Sequence, residues 1–179
     1  MRRFNWQMNL RLNYGFPLTR PALPVVERYY AGGDSSTRGY DADALRAEEV
    51  RAPIGPLSGE PAYRIVPVGG NARLLSQLEW EFAITPKIGG WPWVGALFLD
   101  TGAVFDGFQR MSWNDVRFSV GISLLRLLTQ FGALSLDYAY PLVLPGQLPL
   151  VQSERWKREP WYAHFPGRIH FNWGMPISL

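Results

Sequence analysis

Apolar and polar residues alternate along several stretches of this chain with a period of two. Over residues 4–16, Phe4, Trp6, Met8, Leu10, Leu12 and Tyr14 fall on one side, and Asn5, Gln7, Asn9, Arg11 and Asn13 on the other. Period two is the side-chain repeat of a β-strand, whose successive residues point to opposite faces. The same rule sets Leu78, Trp80 and Phe82 against Gln77, Glu79 and Glu81 in residues 74–83, and Leu97, Leu99, Thr101 and Ala103 against Ala96, Phe98, Asp100 and Gly102 in residues 93–105. In residues 116–125 it sets Phe118, Val120, Ile122 and Leu124 against Arg117, Ser119, Gly121 and Ser123. It returns over 133–140, with Leu134, Leu136, Tyr138 and Tyr140 opposite Ser135, Asp137 and Ala139, and over 168–175, with Ile169, Phe171, Trp173 and Met175 opposite Arg168, His170, Asn172 and Gly174. The pattern predicts an all-β chain of six strands.

The connections decide which kind. They alternate long and short: residues 17–73 long, 85–92 short, 106–115 longer, a tight turn over 129–132, and 141–167 long. Outer-membrane barrels distribute extracellular loops and periplasmic turns in this way. The first strand also has the roughly 9 to 11 residues that a tilted membrane strand needs, with aromatics towards both ends. The apolar faces carry essentially no Lys, Arg, Asp or Glu, and the polar faces carry small or neutral residues with a few charges. A soluble sandwich buries its apolar faces and has no reason for alternating loop lengths. The expected fold is a transmembrane antiparallel β-barrel. Six strands are fewer than the about eight of the smallest barrels, so the chain is expected to be one partial barrel domain, residues 1–179, that is either part of something larger or borrows strands.

Composition narrows this further. Hydrophobic residues make up 47% and aromatics 15%, against 18% charged, yet no run of about 20 apolar residues exists, so a membrane role falls to strands. The net charge of +3 comes from scattered arginines, which makes nucleic acid a poor partner. The absence of cysteine excludes a disulfide scaffold and any thiolate site. Polar Asn5, Gln7 and Asn9 follow the basic Arg2 and Arg3 at once, so the start reads as strand interior with no recognisable signal peptide.

One loop stands out, Ala31-Gly32-Gly33-Asp34-Ser35-Ser36-Thr37-Arg38-Gly39-Tyr40-Asp41. Its glycines, Asp34 and serines favour turns and positive φ, so a bent segment presents one guanidinium. The plain reading is a solvated turn; the alternative is a loop that docks. Two neighbouring acids, Glu79 and Glu81, resemble the spacing of a glycosidase pair but read as ordinary polar-face acids of a barrel. His164 and His170 make no metal set and read as polar histidines. No nucleophile motif, phosphate loop or dinucleotide fingerprint occurs, so no catalytic residue, metal or cofactor is expected.

Several motifs together resemble one family. These are Glu27-Arg28-Tyr29-Tyr30-Ala31-Gly32-Gly33 followed by Thr37-Arg38-Gly39-Tyr40, then Gly69-Gly70-Asn71, Phe98-Leu99-Asp100-Thr101-Gly102, Gly132-Ala133-Leu134-Ser135-Leu136-Asp137-Tyr138 and Ile169-His170-Phe171-Asn172-Trp173-Gly174. In order and in strand placement they are similar to the C-terminal half of BamA and TamA type outer-membrane assembly factors, the bacterial surface antigen family. The resemblance implies the last six strands of a barrel of roughly sixteen. It implies that the loop folds back into the lumen as a latch through Thr37, Arg38, Gly39 and Tyr40, with Arg38 paired to the wall acids Glu79 and Asp100. It further implies a last strand that serves as sorting signal and gate, with Phe171, Trp173 and Gly174. Implied partners are outer-membrane lipid, client outer-membrane proteins, the remaining N-terminal strands with a POTRA-bearing portion, none of which this sequence contains, and accessory assembly proteins. The location is the outer membrane of a Gram-negative-type bacterium, and the activity is non-covalent insertion or translocation rather than enzymatic. Alternatives are a two-partner secretion pore and a nonfunctional or split-gene barrel fragment. The chain departs from the family pattern in Thr37, where an aliphatic β-branched residue is usual, and in its end, Met175-Pro176-Ile177-Ser178-Leu179, which lacks a terminal aromatic.

Overall fold

A computed structural model of the protein describes residues 4–18, 23–51, 63–88, 91–107, 109, 111–129, 132–142 and 167–174. It contains strands β1 (Phe4–Tyr14), β2 (Ala47–Arg51), β3 (Tyr63–Pro67), β4 (Ala72–Ile88), β5 (Trp91–Phe105), β6 (Arg117–Thr129), β7 (Gly132–Leu142) and β8 (Arg168–Gly174). Six of them form one antiparallel sheet in the order β1-β4-β5-β6-β7-β8, and β2 with β3 forms a separate two-stranded hairpin. Each alternating stretch of the sequence is a strand of the large sheet. No helix among the described residues is long and apolar enough to cross a membrane.

Three details differ from the sequence reading. The long connection is not wholly irregular, because it carries the β2–β3 hairpin. Strands β4 to β7 run longer than the alternation suggested. Much of the stretch expected as the turn 85–92 continues β4 to Ile88 and resumes as β5 at Trp91, through register shifts beyond Ala83 that blur the period of two. In β6 a bulge lies between Ser123 and Leu125: Ser123 pairs with Asp137 but Leu125 with Leu136, so Leu124 is the extra residue and the facing of the strand reverses beyond it. Met175, His164 and the chain end after residue 174 lie outside the described residues.

Register turns the separate alternations into rows. One row runs Asn5, Glu81, Ala96, Ser123, Asp137 and His170 across β1, β4, β5, β6, β7 and β8. A second runs Asn9, Gln77, Asp100, Ser119 and Pro141 across β1, β4, β5, β6 and β7. Both rows occupy the polar face. The opposite face gathers Leu78, Trp80, Leu97, Leu99, Val120, Ile122, Tyr138 and Ile169.

Burial is inverted relative to a water-soluble sheet. On the apolar face Trp6 is 65% exposed and Trp173 71%, and Trp80 stacks with Phe4 and Trp6 at centroid distances of 5.6 and 5.8 Å. Buried groups sit in two places: at one end of β4 and β5, where Ala72, Ala103 and Phe105 pack with Val116, and where the connection between β1 and β2 turns back over the polar face. One cluster joins loop residues Ala31, Tyr40 and Leu45 to Leu75 of β4 and Val104 of β5. A contiguous apolar belt of this extent has no aqueous rationale, and a hydrocarbon solvent satisfies it.

Candidate functional site

The connection leaves β1 and is first tied to the end of the sheet. Gly15 N–H donates to Asn71 O at 2.8 Å, and Tyr29 and Gly70 exchange backbone bonds at 2.8 and 2.9 Å. Arg28 donates to Leu23 O and Val68 O, and Arg73 donates to Tyr30 O. From there the chain makes a tight turn: Gly32 N–H donates to Ser36 Oγ at 2.8 Å and Ser36 N–H to Gly33 O at 3.2 Å. That turn is what the Gly-Gly-Asp-Ser-Ser run provides, and it delivers Thr37, Arg38, Gly39 and Tyr40 buried against the polar face.

Arg38 is the centre. Its Nε donates to Asp100 Oδ2 at 2.7 Å and its Nη2 to Asp100 Oδ1 at 2.8 Å, a bidentate pair. Nη2 also reaches Glu79 Oε1 at 2.7 Å, and Nη1 reaches Asp137 Oδ2 at 3.2 Å. The guanidinium carbon lies 3.5 Å from the centroid of the Phe98 ring, so the flat face of the cation rests on an aromatic while its edges meet carboxylates. Asp137 is itself held by Ser123 Oγ–H at 2.6 Å. Burial works against the charge of Arg38, but its hydrogen bonds to Asp100 and Glu79 and their charges outweigh that, and its pKa stands above its ordinary value.

The flanking residues fit the same wall. Thr37 is fully buried, and a Cβ on Gly102 of β5 would collide with Thr37 Oγ1 and with Leu45 Cδ2, so only glycine admits the loop there. The Thr37 hydroxyl has no hydrogen-bond partner among the described residues. Gly39 has φ of 92°, and a Cβ on it would lie 3.2 Å from Pro141 N and from Ser119 Cβ. Its N–H donates to His170 Nε2 at 3.3 Å. Tyr40 O–H donates to Phe118 O at 3.0 Å and Leu142 O at 3.3 Å, and burial pushes its pKa up to about 12. Past the turn, Asp41 forms an ion pair with Arg168 of β8, and Arg46 makes a two-bond pair with Asp106 at 2.7 and 2.6 Å.

The structure thus brings together Thr37, Arg38, Gly39 and Tyr40 with Glu79 and Asp100. It does not bring Phe171, Trp173 or Gly174 to that centre: they lie on β8, the edge strand of the sheet, and Phe171 and Trp173 are exposed on its apolar face. Sequence reasoning passed over Asp137, Phe98 and His170 as ligands of the loop. All three were legible as polar-face positions, but only the cross-strand register shows that they converge. Glu81, the neighbour of Glu79, is occupied by Asn5 Nδ2 and Gln7 Nε2, each at 3.1 Å. Among the described residues no group of three or more His, Cys, Asp or Glu is arranged to hold a metal ion. Chemically the arrangement binds and positions: four of the five N–H groups of one fork are directed at carboxylates.

Comparison with known proteins adds two findings. The family model described as the Omp85 superfamily domain matches residues 2–175. The outer membrane protein assembly factor BamA of Nitratidesulfovibrio vulgaris is 30% identical over 121 residues, which are 67% of this chain. The matched region is 13% of that protein, so the chain spans a small part of the length of its relative.

Proposed function

This chain belongs to the Omp85 superfamily, and from that membership we infer that it is the barrel portion of an outer-membrane protein assembly factor. It is a protein of the bacterial outer membrane, all-β, and its apolar strand face meets lipid. Its work is to insert or translocate client outer-membrane proteins without a covalent step. Further strands complete the wall to a barrel of roughly sixteen, and POTRA domains and accessory proteins hand over the client. In this reading β8 is the gate and sorting strand, and the loop bearing Thr37, Arg38, Gly39 and Tyr40 is a latch that holds the lumen in a competent form.

The observation that carries the latch is the engagement of one guanidinium by carboxylates from three strands, Glu79 of β4, Asp100 of β5 and Asp137 of β7. A catalytic carboxylate needs a free lone pair facing a substrate, whereas these are turned onto Arg38. The geometry therefore supports positioning. The test is Arg38→Ala in the full-length protein, with the amount of folded client proteins delivered to the outer membrane as readout. A fall in delivery, or failure of the barrel itself to fold, is expected; wild-type behaviour in both would sink the reading.

A further inference from the structure

Strand β8 stands at the edge of the sheet, and two contacts join it to the Arg38 loop: Gly39 N–H donates to His170 Nε2 at 3.3 Å, and Asp41 pairs with Arg168. We propose that His170 is a positioning residue whose neutral ring ties the edge strand to the loop, and that its protonation releases the tie. This inference rests on the reading of the loop as a latch and adds the group that couples it to β8.

The chemistry comes from the direction of the bond. A backbone N–H donates only, so Nε2 of His170 must offer a lone pair, which places the ring proton on Nδ1. Once Nε2 takes a proton it becomes a donor aimed at another donor. The tie turns from attractive to repulsive.

The charged groups facing the ring extend the effect of that proton. Asp34 and Arg38 face it from the loop, Asp137 from β7, and Arg168 from its own strand. Asp137 is the register partner of His170 and already accepts from Arg38 Nη1. A protonated ring therefore competes with Arg38 for that carboxylate, so one proton weakens both the Gly39 bond and the third arm of the latch. Histidine is the side chain suited to such a response between pH 5 and 8.

The experiment measures hydrogen exchange of segment 36–41 by mass spectrometry in the full-length protein in lipid nanodiscs, at pH 7.5 and 5.5, corrected for the intrinsic pH dependence of amide exchange. As the ring takes up its proton between those values, exchange in the wild type should rise severalfold. His170→Gln, whose amide oxygen still accepts from Gly39 but does not titrate, should be slow at both values, and His170→Leu fast at both. Equal protection of the wild type at both pH values, or a Gln variant that follows the wild type, overturns the proposal. Full exchange of the wild-type loop at pH 7.5 already would instead overturn the latch on which it rests.

Discussion

Asp100 holds Arg38 at two levels: its Oδ2 accepts from the backbone N–H of Arg38 at 3.1 Å and from the side-chain Nε at 2.7 Å. The main chain and the side chain of the loop are thus fixed by one fully buried carboxylate. Asp100→Ala removes these two bonds together with the Nη2–Oδ1 bond and leaves the cation without its bidentate partner. Losing one member of a buried pair costs about 3 to 5 kcal/mol. Arg38→Lys should recover little of the loss from Arg38→Ala, because a point charge cannot meet carboxylates on three strands as a planar fork does. Urea unfolding of the refolded full-length barrel in lipid, following the change in gel mobility between folded and unfolded forms, compares the three variants.

Thr37 makes the opposite case. Among the described residues its buried hydroxyl has no partner, and valine has the same branched shape. Thr37→Val keeps the shape and removes the unsatisfied group, so it should leave stability unchanged or raise it by about 1 kcal/mol. The same unfolding midpoint reads it, and a clear loss would mean that the hydroxyl has a partner.

Gly102 separates docking from charge. Gly102→Ala leaves Arg38, Glu79, Asp100 and Asp137 intact but drives a methyl into Thr37 and Leu45. The loop should then leave the wall, and protease cleavage within it should accelerate to about the extent seen with Arg38→Ala. Cleavage at the wild-type rate would mean that the wall yields to the methyl instead.

Tyr40 gives a pH dependence with a definite sign. Its folded pKa of about 12 lies above the ordinary value of about 10, so both states keep the proton below pH 10. Between pH 10 and 12 the unfolded state sheds it first, and the stability contributed by the neutral phenol is lost across that window. The bonds to Phe118 O and Leu142 O go with it, since a phenolate has no proton to donate. Tyr40→Phe should cost about 1 kcal/mol at pH 8 and show a shallower alkaline loss than the wild type. Parallel pH profiles of the two would refute this.

The strands were legible because the alternation of Phe4 to Tyr14 or Ile169 to Trp173 is a local property, set by which face each side chain takes. Where local pattern and pairing part company, reading failed. The bulge at Leu124 reverses the facing of β6 without leaving a mark in composition, and the β2–β3 hairpin lies in a stretch with no clear period. At the centre, Arg38, Glu79 and Asp100 were singled out through motifs in a known order. Asp137 and His170 stood on the correct face but had no stated task, because their nearness to residues 99 and 131 positions away in sequence exists only after four strands have found their register.

Three strand spacings separate β4 from β7, which is roughly 14 Å across a flat sheet. One guanidinium nevertheless touches acids on both. The reach of the Glu79, Arg38 and Asp137 side chains closes that span, so one cation straps together two strands that share no ladder bond.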